Sequence, residues 1–253
     1  MKNLTILCIV VTLFLGACIR KECRDIPGGY EFEIPVTLVP AKDTFRIGDT
    51  ISITSTFDDM VFERKTQQEY LLEDWRFFPS LRVYQIDTVP YQDAIPFMEL
   101  IIGAKADLEI FQYSDGDLAL NGEYEYRDGV YNLTYDMVVL NPGLYCLFQA
   151  SRQTLDDNQR FPGKCSGISS RTAVVLNDNT DNNIEFLSES PDTFISEWIP
   201  SRPMDRFYDA GGYCFYVVEW DETFMVQQRH NRSSDAGRLA ICESWAEHLE
   251  HVY

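Results

Sequence analysis

The chain predicts a mainly β protein, an immunoglobulin-like β-sandwich followed by a smaller α/β appendage. Between residues 30 and 177, apolar and polar residues alternate in short runs separated by strong turn signals. We count seven or eight such strands, enough for one sandwich. A Gly-x-Tyr entry at Gly143 to Tyr145 resembles the corner of such sandwiches, where a tyrosine hydroxyl ties a late strand to a nearby loop. Here, however, the cysteine follows Tyr145 by one residue instead of two. After residue 178 the pattern loosens and helix signals enter.

The elements follow in order. "YEFEIPVTLVPA" sets Tyr30, Phe32 and Ile34 against Glu31 and Glu33 and then meets Pro35, as an edge strand does. "KDTFRIGDTISITSTF" places a Gly48-Asp49 turn before a strand with Ile51, Ile53 and Phe57 on one face and Ser52, Thr54 and Thr56 on the other. "FPSLRVYQIDTV" and "AKADLEIFQYS" are further strands, and Asn121-Gly122 and Asp128-Gly129 are typical hairpin turns. "GVYNLTYDMVVLNPGLYCLFQAS" reads as a hairpin turning at Asn141-Pro142-Gly143, and Leu144 to Phe148 then carries β-forming residues on both faces. "SRTAVVLND" closes the sheet. Beyond it, Ser190-Pro191-Asp192 starts a helix through Phe194 and Trp198 that stops at Pro200, "GGYCFYVVEW" is a buried strand, and 235–252 form an amphipathic helix.

Ahead of the sandwich, Leu4 to Leu15 form an apolar run on a minimal positive start, too short for the roughly 20 residues of a membrane span. It has the length of a signal-peptide core. It ends in Leu15-Gly16-Ala17-Cys18, which matches a lipobox: small residues for the peptidase, then the thiol that takes up a diacylglyceryl group. This divides the chain into a signal peptide at 1–17, a tether at 18–29, a sandwich domain at 30–178 and an appendage at 179–253. Cys18 is the candidate lipidation site, and a lipid there binds the protein to a membrane. The competing readings of this start are an ordinary cleaved signal and an uncleaved anchor.

Acidic residues number 40 against 21 basic ones, and removing the signal, which carries only Lys2, moves the formal net charge from -19 to -20. Such a body is repelled by nucleic acid, which is discounted as a partner. Cys23, Cys146, Cys165, Cys214 and Cys242 remain after the signal and Cys18 are set aside. In an oxidising compartment the candidates for disulfides are Cys165, Cys214 and Cys23 or Cys242, against the alternative that all five are small buried apolar residues.

The chemistry-bearing residues do not assemble into a catalytic motif. His230, His248 and His251 lie near the end, and Glu247, His248 and His251 lack the order of a zinc protease site. Asp178, Asp181 and Glu185 supply oxygens without an EF-hand's glycine or spacing, and Asp115 and Asp117 are explained by a turn. Neither a nucleophile elbow nor a phosphate loop is present, and Cys165 beside Lys164 reads as structural. Trp75, Trp198, Trp220 and Trp245 are spread widely, so aromatic cores are the first reading and a sugar-stacking platform the second.

Cys18, "KEC" at 21–23, "YEFEIPVTLVPAKDTFRIGDTISI", "FPGKC" at 161–165 and "GGYCFYVVE" together resemble a family of lipoproteins of Bacteroidota to which no activity is attached. The resemblance implies an outer-membrane anchor, with the periplasmic and surface faces both open. It also implies that Asp49-Thr50-Ile51 and Asp87-Thr88-Val89 are similar to that lineage's O-glycosylation triplet.

The expected function is therefore a non-enzymatic, lipid-anchored envelope protein that needs no cofactor or metal and binds an envelope protein. The alternative is a carbohydrate-binding lipoprotein of a glycan-uptake system, and behind it a hydrolase. A Cys18→Ser variant is expected in the soluble fraction; if it still sediments with membranes, the lipid anchor is wrong.

Overall fold

The computed structural model describes residues 29–73, 75–103, 107–114, 116–154, 170–180 and 182–219. Cys18, Cys23, Cys165, Cys242, the three histidines, Trp220, Trp245 and the 235–252 helix lie outside them. The strands are β1 (Tyr30–Val39), β2 (Thr44–Arg46), β3 (Thr50–Asp58), β4 (Met60–Glu63), β5 (Gln68–Leu71), β6 (Arg76–Gln85), β7 (Gln92–Asp93) and β8 (Met98–Ile102). They continue with β9 (Asp107–Gln112), β10 (Leu118–Glu123), β11 (Glu125–Arg127), β12 (Val130–Val139), β13 (Gly143–Thr154), β14 (Ser170–Leu176) and β15 (Gly212–Val218).

They form two sheets packed as a sandwich, as the alternating pattern predicts. Sheet one holds β1, β3, β4, β5, β8, β11, β12 and β14, and sheet two holds β2, β6, β7, β9, β10, β13 and β15. Phe32, Ile34, Val36, Leu38, Ile51 and Ile53 from sheet one meet Phe77, Leu81, Val83, Tyr145, Leu147, Tyr213 and Phe215 from sheet two in one core. An aromatic nucleus forms part of it. Tyr131 lies 5.0 Å from Phe57 and 4.9 Å from Phe77, and its hydroxyl donates to the Leu72 carbonyl at 2.7 Å, so the fully buried ring keeps its polar end satisfied. Trp75 is buried in the same core. Tyr135 of β12 reaches across the interior to donate to Gln149 Oε1 of β13.

The tyrosine corner is present: the Tyr145 hydroxyl donates to the Asn141 carbonyl at 3.1 Å. The turn before it, however, is not a hairpin. β12 pairs with β3, β8 and β11, whereas β13 pairs with β6 and β15, so Asn141-Pro142-Gly143 carries the chain from one sheet to the other. Two flanking strands and a turn fit either outcome, and the corner bond belongs to the crossover. Asn121-Gly122 is also not a turn. It lies inside β10 opposite β9, and a Cβ at Gly122 would fall 2.0 Å from the Asp107 carbonyl oxygen, so the glycine permits close strand approach. Asp128-Gly129 does turn β11 into β12, with φ of 53° and 82°, the positive values a two-residue hairpin requires.

β1 is central and not the edge strand that Pro35 suggests. Residues 30–36 pair in parallel with β14, while β3 and β4, separated by Asp59 alone, both run antiparallel to β1. Pro35 falls in the gap between the ladder from Thr37 to β3 and the bridge from Phe32 to β4. No ladder bond is asked of its missing N–H there, and its carbonyl accepts the Ser55 hydroxyl at 2.6 Å.

The segment expected as an appendage gives its one described strand to the sandwich: β15 lies between β13 and β2 in sheet two. The residues before it, 184–210, fold as short helical turns, Ile184–Glu189, Phe194–Trp198 and Met204–Tyr208. They form a third layer on the outer face of sheet two. Leu187, Ile195, Ile199 and Phe207 pack there against Tyr84, Ile86, Leu144, Cys146 and Cys214 in a second, smaller core. The reason lies in β13, whose outward residues are as apolar as its inward ones.

Polar groups hold the turn after β4. The buried Glu63 carboxylate accepts the Glu31 N–H at 2.8 Å, the Lys65 N–H at 3.2 Å, and the Thr66 N–H and hydroxyl at 2.7 and 2.6 Å. Burial raises its pKa, and the four hydrogen bonds outweigh that, leaving it below the ordinary 4.5. Because the folded value is the lower one, the group adds stability above about pH 4.5 and loses that stability as pH falls through the folded value. Glu63→Gln turns two donors toward groups that already donate. We expect it to cost about 2 kcal/mol at pH 7 and to flatten the acid limb of the stability curve, measured by urea unfolding between pH 3 and 7.

Candidate functional site

The third layer leaves a cleft of about 350 Å³ where it meets sheet two, lined by Arg82, Tyr84, Phe148, Trp198 and Arg206 among others. β6 supplies Arg82 and Tyr84 from its outward face, and β13 supplies Phe148 from the same face. Tyr91 comes from the loop before β7, Asp117 from the loop before β10, and Phe194, Trp198 and Arg206 come from the helical turns.

The local sequence explains the placement. Asp192 starts the turn at Phe194–Trp198 as the Ser-Pro-Asp signal predicts: its Oδ1 accepts the Phe194 N–H at 2.9 Å, and its Oδ2 accepts the Tyr91 N–H at 3.2 Å, which draws that loop to the turn. Ile195 and Ile199 are buried beneath, so Phe194 and Trp198 are pushed outward, 42% and 47% exposed. Being four residues apart on one turn, their rings stack at 4.6 Å and 16°. Tyr91 stacks on Phe194 at 5.6 Å and 22°.

Arg206 completes the row. Its guanidinium carbon lies 3.6 Å from the Trp198 ring centroid, and its Nη1 donates to the Trp198 carbonyl and, at 2.7 Å, to Ser201 Oγ. Trp198 thus stacks with both Phe194 and Arg206 while remaining 47% exposed.

The floor of the cleft is polar. Arg82 donates to the Tyr84 hydroxyl at 3.2 Å, and Tyr84 donates to Asp117 at 3.4 Å. Burial pushes the Tyr84 phenol up to about 12 despite the arginine beside it, so it is a neutral donor at any physiological pH. Burial lowers the Arg82 pKa, but hydrogen bonds to Tyr84 and Tyr113 more than offset this and raise it, and its guanidinium carbon lies 4.5 Å from the Tyr113 ring centroid. The cleft thus offers fixed cationic and aromatic edges with one carboxylate.

A wider groove of about 780 Å³ runs beside β12, lined by Ile101, Glu125, Arg127, Asn132, Thr134 and Asp136 among others. It is the larger of the two, but it gathers no stacked rings among the described residues.

The sequence-predicted candidates are scattered. Cys214 carries a free thiol, as does Cys146, and both are buried. Asp178 lies in a run with positive φ at Asn177, Asp178 and Asn179, and Asn177 Oδ1 accepts the Leu38 N–H at 2.9 Å. No three metal-ligating side chains cluster among the described residues. Asp49 and Asp87 accept backbone N–H groups of Arg46 and Leu144 at 3.0 and 3.2 Å. No described helix is long and apolar enough to cross a membrane. Sequence reasoning missed the cleft, because the segment with Arg82 and Tyr91 is far in the chain from the segment with Trp198 and Arg206; the one available signal was Phe194 and Trp198 at helical spacing.

No family model matches the chain, and no curated protein matches it. Among solved structures, the Reelin-N domain of F-spondin is similar at a TM-score of 0.30 and 10% identity, covering 58% of this chain and 85% of that one. The human F-spondin reeler domain gives 0.30 and 11%, covering 57% and 93%. The second type II cohesin module of the cellulosomal adaptor ScaA scaffoldin of Acetivibrio cellulolyticus gives 0.28 and 10%, covering 56% and 92%. At such loose overlap neither fold detail nor function transfers, and the sandwich rests on its own strand pairing.

Substitutions separate the layer's packing from its exposed row. Ile195→Ala removes a buried side chain and is expected to cost about 2–4 kcal/mol. Trp198→Ala should cost about 1 kcal/mol, mainly its stack with Phe194 and Arg206. Equal losses in urea unfolding would mean that Trp198 is structural.

Proposed function

We propose that the chain is a lipid-anchored protein of the cell envelope, of the Bacteroidota lipoprotein kind, which acts by binding another protein and catalyses no reaction. The anchor is Cys18, and the binding surface is the row Tyr91, Phe194, Trp198 and Arg206 with its cleft.

The observation that carries this reading is the stacking of Trp198. A sugar ring stacks on an open aromatic face, and here Phe194 and Arg206 already stack on the Trp198 ring. The exposed row that would mark a glycan platform is present, but its rings are already stacked. What remains is a rigid, half-exposed set of Trp, Phe and Arg, the residue types that dominate binding energy between proteins. Met204, 52% exposed on the turn that carries Arg206, widens the apolar area. The rings are pre-stacked and Arg206 is held by two acceptors, so little side-chain freedom is lost on docking.

A photo-crosslinking amino acid at Met204, in cells, is expected to yield a discrete adduct with one envelope protein, and Trp198→Ala and Arg206→Ala should each abolish it. Absence of an adduct, together with retardation of the protein by soluble polysaccharide in native gels, would overturn the reading in favour of a glycan.

A further inference from the structure

Cys146 on β13 and Cys214 on β15 stand directly opposite each other in the antiparallel register. The Cys214 N–H donates to the Asn182 carbonyl at 3.0 Å, and its carbonyl accepts Asn183 Nδ2 at 2.8 Å. Both backbone groups of Cys214 thus point away from β13, which makes this a non-hydrogen-bonded pair. In such a pair the Cα atoms stand about 4.5 Å apart and the side chains are at their closest. That separation falls within the span a disulfide bridges. The two side chains share the outward face of sheet two, both fully buried under the third layer. A single buried cysteine is an ordinary small apolar residue, whereas two in register at a close pair are placed to bond.

We infer that Cys146 and Cys214 are joined by a disulfide in the exported protein, clamping β15 to β13. The oxidant is a disulfide-bearing donor, an oxidoreductase in the cell envelope or oxidised glutathione in vitro. One cysteine thiolate attacks a donor sulfur, forming a mixed disulfide and releasing one donor thiolate. The other then attacks the protein-side sulfur and releases the second. Two thiol protons are lost from the protein, two electrons pass to the donor, and the donor leaves as two thiols.

The order of events follows from burial. Once Leu187, Ile195, Ile199 and Phe207 cover the pair, no donor reaches it. The bond therefore forms before residues 184–210 dock, and afterwards the same layer shields it from reductants. Burial pushes the Cys214 thiol well above its ordinary value, which also keeps a pair that folds while reduced unreactive.

The test is a comparison of the full chain refolded from denaturant in a mixture of oxidised and reduced glutathione with the same chain refolded in excess reductant. Each sample is alkylated while unfolded and digested without reduction, and the peptides are identified by mass spectrometry. The oxidised sample is expected to yield a peptide joining Cys146 to Cys214, and to melt roughly 5 °C or more above the reduced one. Double substitution with Cys146→Ala and Cys214→Ala should abolish that difference. The proposal is overturned if both thiols are recovered alkylated, or if Cys214 is joined to Cys23, Cys165 or Cys242. The assay needs neither the anchor nor a partner, so its failure is distinct from failure of the binding reading.

Discussion

The face of sheet two that points away from the main core carries Tyr84, Ile86, Leu144, Cys146 and Cys214, and water cannot be left against it without cost. This need determines the rest of the molecule. Residues 184–210 contain too few regular apolar repeats for a long helix, and they cover the face as short turns pinned by Leu187, Ile195, Ile199 and Phe207. Because a turn only five residues long cannot bury every large side chain, Phe194 and Trp198 are left at the rim. The cleft is thus the seam between a flat sheet and an irregular cover, and its aromatic lining is what the packing leaves exposed.

Charge fastens that cover to the sandwich. Arg64, in the turn after β4, bonds Glu33 of β1 at 2.8 Å and Asp209 of the third layer at 2.5 Å. Arg64 also lies 3.4 Å from Glu31, whose other oxygen takes Arg171 of β14 at 2.6 Å. Both Glu31 and Asp209 are largely buried. Attraction between such groups roughly offsets their desolvation, so the network contributes specificity more than net stability. It fixes where Asp209 sits, and with it the approach of the chain to β15.

The two-sided apolar character of Leu144 to Phe148 is legible in the sequence, and it is the feature that demands a third layer. The alternation in β1 and β3, the Asp128-Gly129 turn and the start at Asp192 were equally plain, because each depends on neighbours in sequence. What failed depended on partners. Pro35 suggested an edge until the gap between β3 and β4 supplied a place for it, and Asn141-Pro142-Gly143 cannot itself say whether the next strand returns to the same sheet. Asn121-Gly122 has the composition of a turn, but its glycine answers a clash with Asp107 on another strand. The Cys146–Cys214 pairing likewise arises only once distant segments meet.

The pairing of β2 with β15 bears on how the protein comes into being. Residues 42–47 reach across to 213–218: the Tyr213 hydroxyl meets the Lys42 carbonyl at 2.6 Å, the Tyr216 N–H meets the Asp43 carbonyl at 2.8 Å, and the Ile47 N–H meets the Val218 carbonyl at 3.1 Å. Until β15 is made, β2 has no partner strand in sheet two. Contacts so distant in sequence slow folding. β15, the last of the described strands, is thus the one that brings β2 into sheet two.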